Sequence, residues 1–197
     1  MCIRDSLPPV QIDEVVRSGG IGKIVESKNE NFSKGDLVSG MVGWQTHHIP
    51  SENDLKTMRK VPDVLPIPTM LNIFGSTGIT AYFGLLDIGN PQPGETVVVS
   101  GAAGATGAMV CQIAKIKGCH VIGIAGGDEK CSWLKDCGVD DVIDYKNSNV
   151  AEELTKLAKD GIDIYFDNVG GPILESVLFL INICLLYTSP SPRDLTA

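Results

Sequence analysis

The chain is predicted to be α/β, an incomplete parallel sheet preceded by part of a β-rich barrel. Three observations predict this. From Glu95 onward, short β-branched runs alternate with helical patterns at the spacing of βαβ units. A turn of small residues, "SGAAGATG", separates the first of these strands, "ETVVVS", from the first helix. Residues 7–50, by contrast, carry only short strand-like runs divided by turn residues.

Taken in order, Ile12, Val15 and Val16 precede a turn signal at Ser18-Gly19-Gly20, and alternation resumes through Ile24 and Glu26. Lys34-Gly35-Asp36 is a turn between strands. "SENDLKTMRKVPDVLPIP" holds Pro62, Pro66 and Pro68 and reads as a connector. A helix is expected from Pro68 or Thr69, broken by glycine between Gly75 and Gly78, through "ITAYFGLLDIG". Pro93-Gly94 then turns the chain into strand 95–100, helix 104–117, strand 120–124, helix 128–136, strand 141–143, helix 149–159, strand 162–167 and a helix after Pro172. Lys115 and Lys117 with Gly118 end the first of these helices. Asp128 is the expected N-cap of the second, and Asn149 with Glu152 resembles a capping box for the third.

With 197 residues the chain makes one large domain or one and a half, and 43% hydrophobic with 20% charged residues is ordinary for a soluble globular protein. A formal net charge of -8 and the lack of a basic stripe argue against a nucleic-acid partner, because phosphate neutralisation needs clustered Lys and Arg. The longest apolar run, "ILESVLFLINICLLY", is interrupted by Glu175 and Asn182 and falls short of the about 20 residues that span a bilayer. With no secretory signal ahead of the body of the chain, a cytoplasmic location is expected. Cys111, Cys119, Cys131 and Cys137 match neither a metal knuckle nor a Cys-x-x-Cys pair, so reduced core thiols are expected. His47 and His48 are adjacent, would face opposite sides of a strand, and read as surface residues; no metal is expected. "MCIRDS" and "CLLYTSPSPRDLTA" break the pattern of their neighbours and resemble translated adaptor sequence. Segments 1–6 and 184–197 are therefore expected to be non-native tails on a protein truncated at both ends.

Gly101, Gly104 and Gly107 form a G-x-x-G-x-x-G pattern rather than the dinucleotide fingerprint G-x-G-x-x-G. The physical need is the same in both: backbone approaches a pyrophosphate closely, and free N–H groups at a helix start face its charge. Tight helix–strand packing without a ligand is the competing reading. Placement at the carboxyl end of a first parallel strand favours the ligand. An NAD enzyme places Asp or Glu at the next strand end to meet the ribose hydroxyls. Here Ala125, Gly126 and Gly127 stand at that tip, leaving room for a 2′-phosphate, and Lys130 in the following helix can supply a point charge. NADPH is thus favoured over NADH. A solvated Lys130 paired with a neighbouring acid is the alternative, and Asp128 could serve a ribose if the strand ends later. Tyr145 and Asn168 fall at the ends of the third and fourth strands, on the ligand-binding edge of a Rossmann-type sheet.

"GGIGKIVESKN", "KGDLV", "GSTGITAYFGLLDIG", "GETVVVSGAAGATG", "GIAGGDEK" and "YFDNVGG" together resemble the zinc-independent medium-chain dehydrogenases/reductases, in the branch of prostaglandin reductases, alkenal double-bond reductases and curcumin-reductase-like enzymes. The resemblance implies part of a GroES-like catalytic domain with its connecting helix over 7–88 and part of an NADP-binding Rossmann domain over 89–183. It implies that Gly104, Ala105, Thr106 and Gly107 hold the pyrophosphate, that Lys130 and Tyr145 meet the 2′-phosphate side, and that Asn168 lies near the ribose. The implied reaction is reduction of the carbon–carbon double bond of an α,β-unsaturated ketone or aldehyde, without zinc. A tyrosine donor for the enolate would belong to sequence that is missing, so no catalytic residue is assigned. Thr77 and Tyr82 would pass near the nicotinamide, although core packing explains Tyr82 equally well; Met41 and Trp44 would border the substrate cleft. Ser76 and Thr77 stand where the branch commonly has Met-Pro. A quinone oxidoreductase and a non-catalytic NADPH-binding fragment are the rival readings, and a homodimer is a possibility the family raises for the full-length protein.

Overall fold

The computed structural model describes residues 9–63 and 66–188. The expected tail at 1–6 and the end of the second, 189–197, lie outside the described residues. Two compact units divide between Leu71 and Asn72.

In the first unit, strand β1 (Gly19–Lys23) runs antiparallel to β2 (Leu37–Met41), which pairs with the two-residue β3 (Arg59–Lys60). The turn expected at Ser18-Gly19-Gly20 is the start of β1 instead. Its glycines serve packing: Gly20 lies opposite Gly40, a Cβ on Gly20 would come within 2.8 Å of the Val42 side chain, and one on Gly40 within 3.0 Å of Met58. The turn at Lys34-Gly35 forms as expected, with Gly35 at φ 97° and its N–H donating to the Ile24 carbonyl at 2.8 Å.

The expected connector contains a helix, α1 (Glu52–Thr57). Ser51 and Asp54 cap it reciprocally: Asp54 Oδ2 accepts from the Ser51 amide at 2.8 Å, and the Ser51 hydroxyl accepts from the Asp54 amide at 3.3 Å. This is a capping box written with Asp rather than Glu, inside a segment dominated by its prolines. His48 departs from expectation as well. Its Nδ1 lies 3.0 Å from Gln45 Nε2, and its Nε2 is buried, 3.7 Å from Asp54 Oδ2, while His47 is exposed. Neither lies on a strand.

Helix α2 (Ile67–Asn72) and helix α3 (Ser76–Phe83) realise the expected helix with its glycine break, and α3 runs on as a π-helical stretch over Gly84–Gly89. The second unit's sheet then builds in sequence: β4 (Thr96–Ser100), α4 (Ala105–Ile116), β5 (His120–Ala125), α5 (Asp128–Asp136), β6 (Asp141–Asp144), α6 (Val150–Leu157), β7 (Ile162–Phe166), α7 (Gly171–Leu178) and β8 (Ile181–Thr188). All five strands are parallel, in the order β6-β5-β4-β7-β8. β4 is central, and all five of its residues are buried. Val97 and Val99 join one core with Val121, Val110 and Phe166; Val98 joins the other with Ile122, Ile143, Leu154 and Tyr165. Burial on both faces explains the unbroken apolar run, as parallel strands flanked by helices require.

Two boundaries differ from expectation. α6 ends at Leu157, because Ala158 leaves the helix (φ -95°, ψ 62°) while its N–H still donates to Leu154 at 2.8 Å. β8 carries the chain into the segment expected to lie outside the fold, with Leu186, Tyr187 and Thr188 in register with Ile164, Tyr165 and Phe166. Without it β7 would be an edge, with backbone groups unpaired on one side. Cys111, Cys119, Cys131 and Cys137 are free thiols; burial pushes Cys111 up to about 12, which leaves it protonated and unreactive. Among the described residues, no helix is long and apolar enough to cross a membrane.

Candidate functional site

At the carboxyl end of β4 the chain turns through Gly101 (φ 58°) and enters α4 with Gly104 as N-cap. An α-helix leaves its first amides without internal partners, and Gly104 has no side chain with which to cap them. The amides of Ala105, Thr106 and Gly107 therefore begin the helix without a side-chain cap, on a surface where Gly104 and Ala105 are exposed. Gly107 does a different job. A Cβ there would sit 2.4 Å from the Gly101 carbonyl oxygen and 2.9 Å from Ala102 Cα, so its bare α-carbon lets α4 start directly against the turn. The glycines of the motif thus differ: Gly107 serves packing, and Gly104 leaves the helix start open.

At the end of β5, Ala125 is the last, buried strand residue, and Gly127 (φ 97°) is the N-cap of α5. Asp128 is not the cap that the sequence suggested. It is the first helical residue, because Gly127, at a positive φ with extended ψ (97°, 148°) that favours glycine, turns the chain into the helix with no side-chain cap. Nothing lies within 4 Å of a Cβ built on Gly127, so the open space at this tip is there. Gly126 is filled: its Cβ would meet the Tyr145 ring at 2.6–2.8 Å. The tyrosine ring thus occupies room that the sequence reading gave to a phosphate. Gly126→Ala is accordingly expected to push the Tyr145 ring off its seat, seen as a change in tyrosine quenching and ring chemical shifts; an unmoved ring would refute that packing. Lys130, exposed in the first turn of α5, has no ion-pair or hydrogen-bond partner among the described residues, unlike Lys115, whose ammonium sits 2.6 Å from Asp140.

Two acids that sequence reasoning missed hold these strand ends. At β6, Asp144 Oδ1 accepts from the Gly127 amide at 2.9 Å and the Lys146 amide at 3.0 Å, and Oδ2 accepts from Asn147 Nδ2 at 2.7 Å. Backbone bonds from Gly127 and then Lys146 lower its pKa. At β7, buried Asp167 receives four donors on Oδ1: Ser100 Oγ at 2.9 Å, the Tyr165 hydroxyl at 2.9 Å, and the Val169 and Gly170 amides at 3.0 and 2.8 Å. Burial alone would raise that carboxyl, but the bonds from Gly170, Val169, Tyr165 and Ser100 outweigh it and hold the pKa below its ordinary value. Asn168 is exposed, with its amide on Ser100 Oγ and its Nδ2 on the Ser100 carbonyl, both at 2.8 Å. The available signal was an acid following an apolar strand directly, as in "IYFD" and "VID".

Gly104, Ala105, Thr106, Gly107, Lys130, Tyr145 and Asn168 all follow the carboxyl ends of β4, β5, β6 and β7. The second-rank candidates are placed otherwise. The Thr77 hydroxyl donates to the Asn72 carbonyl at 3.0 Å, and Tyr82 is half exposed, edge-on to Phe83 at 5.2 Å between ring centres. Met41 and Trp44 are exposed on the first unit, Trp44 at 82%. Among the described residues no three His, Cys, Asp or Glu side chains gather as a metal site would need.

A parallel sheet that starts at its centre with a glycine turn and winds outward in both directions defines a doubly wound, Rossmann-type fold. Comparison with known proteins narrows the class. The family described as zinc-binding dehydrogenase matches residues 105–183, and that described as N-terminal domain of oxidoreductase matches residues 2–58. NADPH-dependent curcumin reductase of Escherichia coli is 43% identical over 95% of this chain and 56% of its own length. Prostaglandin reductase 1 of Mus musculus is 49% identical over 80% of this chain and 49% of its own. The crystal structure of CurA from Vibrio vulnificus in complex with NADPH superposes with a TM-score of 0.80 at 41% identity, over 92% of this chain and 54% of that one. The two matched segments are domains of the medium-chain dehydrogenase/reductase superfamily. It spans about half the length of the curated relatives it matches.

Proposed function

We propose that the full-length protein is an NADPH-dependent oxidoreductase that reduces the carbon–carbon double bond of α,β-unsaturated ketones or aldehydes. The observation that carries the reading is the uncapped start of α4, set against the end of the central strand by the bare α-carbon of Gly107. Relatives named as curcumin reductase, prostaglandin reductase and 2-alkenal reductase support the substrate class. The residues present fit the cofactor: helix-start amides without a side-chain cap suit a pyrophosphate, and a lysine without a partner beside the open Gly127 suits a 2′-phosphate.

In this reading Gly104, Ala105, Thr106 and Gly107 bind the pyrophosphate through backbone N–H groups, Lys130 and Tyr145 flank the 2′-phosphate, and Asn168, held to Ser100, borders the ribose. NADPH, when bound, supplies hydride to the β-carbon of the enone. Residues 7–88 are part of the catalytic domain and 89–183 part of the NADP-binding domain of a cytoplasmic enzyme that forms a homodimer.

Consumption of NADPH by the full-length protein with an enone, compared with a quinone, tests the activity. Turnover of the quinone alone would replace the enone reading with a quinone oxidoreductase; cofactor binding with neither turnover would leave a binding module. Lys130→Ala is expected to weaken NADPH binding about tenfold while leaving NADH binding within about twofold. Equal losses for both cofactors would remove Lys130 from the phosphate.

A further inference from the structure

Asp144 is an unexpected residue to find where an anion is proposed to bind. Its carboxylate joins the Gly127 turn, which leads into the first turn of α5 with Lys130, to the loop after Tyr145, yet it bears the same sign of charge as the ligand. Its bonds explain its presence. The N-cap of α5 is a glycine with no capping side chain, so the Gly127 turn depends on groups outside its own helix. The Gly127 amide is bound by Asp144 Oδ1 from the neighbouring strand end, and that same oxygen receives the Lys146 amide, directly after Tyr145. Asn147 Nδ2 takes Oδ2. A second link runs the other way, from the Tyr145 amide to the Ala125 carbonyl at 3.0 Å. The two loops are thereby closed into one unit, with the Tyr145 ring seated on Gly126.

We infer that Asp144 is a positioning residue for cofactor selectivity: by tying the Gly127 amide to the Lys146 amide it holds the start of α5, which bears Lys130, and the loop bearing Tyr145 at the separation that a 2′-phosphate needs. The inference rests on the proposed NADPH reading. Three donors engage the carboxylate and turn its lone pairs into the joint, so geometry is what it contributes to the site; its charge opposes the ligand. Asparagine keeps a carbonyl oxygen for the two amides and removes that charge.

The test is calorimetric titration of this chain with 2′,5′-ADP and with 5′-AMP, for the unaltered protein, Asp144→Ala and Asp144→Asn. Asp144→Ala is expected to lose about tenfold in 2′,5′-ADP affinity with 5′-AMP changed less than about twofold, and Asp144→Asn to bind 2′,5′-ADP at least as tightly as the unaltered protein. Equal losses for both nucleotides in Asp144→Ala, or a loss in Asp144→Asn as large as that in alanine, would overturn the inference. If the unaltered chain shows no preference for 2′,5′-ADP over 5′-AMP, the NADPH reading fails first. Amide hydrogen exchange on the unaltered chain serves should the alanine variant not fold: 2′,5′-ADP is expected to slow exchange at Gly127 and Lys146 and 5′-AMP to leave it unchanged. Equal protection by both, or by neither, would contradict the joint's role.

Discussion

Gly107→Ala is expected to lose dinucleotide binding and to destabilise the second unit by about 3 kcal/mol, the upper part of the overpacking range. The added methyl meets backbone: the Gly101 carbonyl oxygen at 2.4 Å and Ala102 Cα at 2.9 Å. A flexible side chain could rotate away; a turn pinned by the Ala102 amide on the Ile124 carbonyl at 3.0 Å cannot do so cheaply. The start of α4 must therefore retreat from β4, carrying its uncapped amides with it. Urea denaturation measures the first effect and NADPH titration the second. A variant with unchanged denaturation midpoint and unchanged affinity would mean that neither contact constrains the helix.

The second large effect is expected at Asp167. Alanine there leaves the Ser100 and Tyr165 hydroxyls and the Val169 and Gly170 amides without their shared acceptor, at a cost of about 3 kcal/mol or more, since buried donors lose the partner that offset their desolvation. The pH dependence follows from the lowered pKa. A carboxyl depressed in the folded state contributes stability that is present above its unfolded value, near 4, and is lost as pH falls through the folded value. Stability curves of the unaltered protein and of Asp167→Asn should therefore draw together below about pH 4, and separate above it. Parallel curves across that range would show that the carboxylate form contributes nothing specific.

The parallel sheet was legible because its signals are local and redundant. The β4 valines are apolar on both faces, the helices carry basic or glycine stops such as Lys115 and Gly118, and Gly94 and Gly118 mark turns that any parallel unit needs. The first unit was less legible. Ser18-Gly19-Gly20 has turn composition, yet Gly20 and Gly40 are glycines to admit Val42 and Met58, contacts made by residues distant in sequence. The Ser51–Asp54 capping box was hidden by the three prolines that follow it. At the candidate site the glycine positions could be read as a set, but their division of labour could not. Gly126 suggested empty space and proved to be the seat of Tyr145, nineteen residues away, which no local rule reports. Asp144 and Asp167 read as ordinary strand-end acids, because their partners lie on other strands or depend on the turn conformation that follows them.

β6 is the outermost strand on its side of the sheet, four residues long and paired only with β5. The two segments proposed to choose between two phosphorylation states of a cofactor thus follow β5 and β6, on one side of the sheet, while the diphosphate is proposed to rest beside the central strand β4. A fold arranged this way separates heritable risk. Substitutions confined to the two tips, 126–130 and 145–147, are expected to alter the proposed cofactor preference without touching the β4 valines, whereas Leu134, Val139 and Ile143 between those tips pack into the same two cores as those valines.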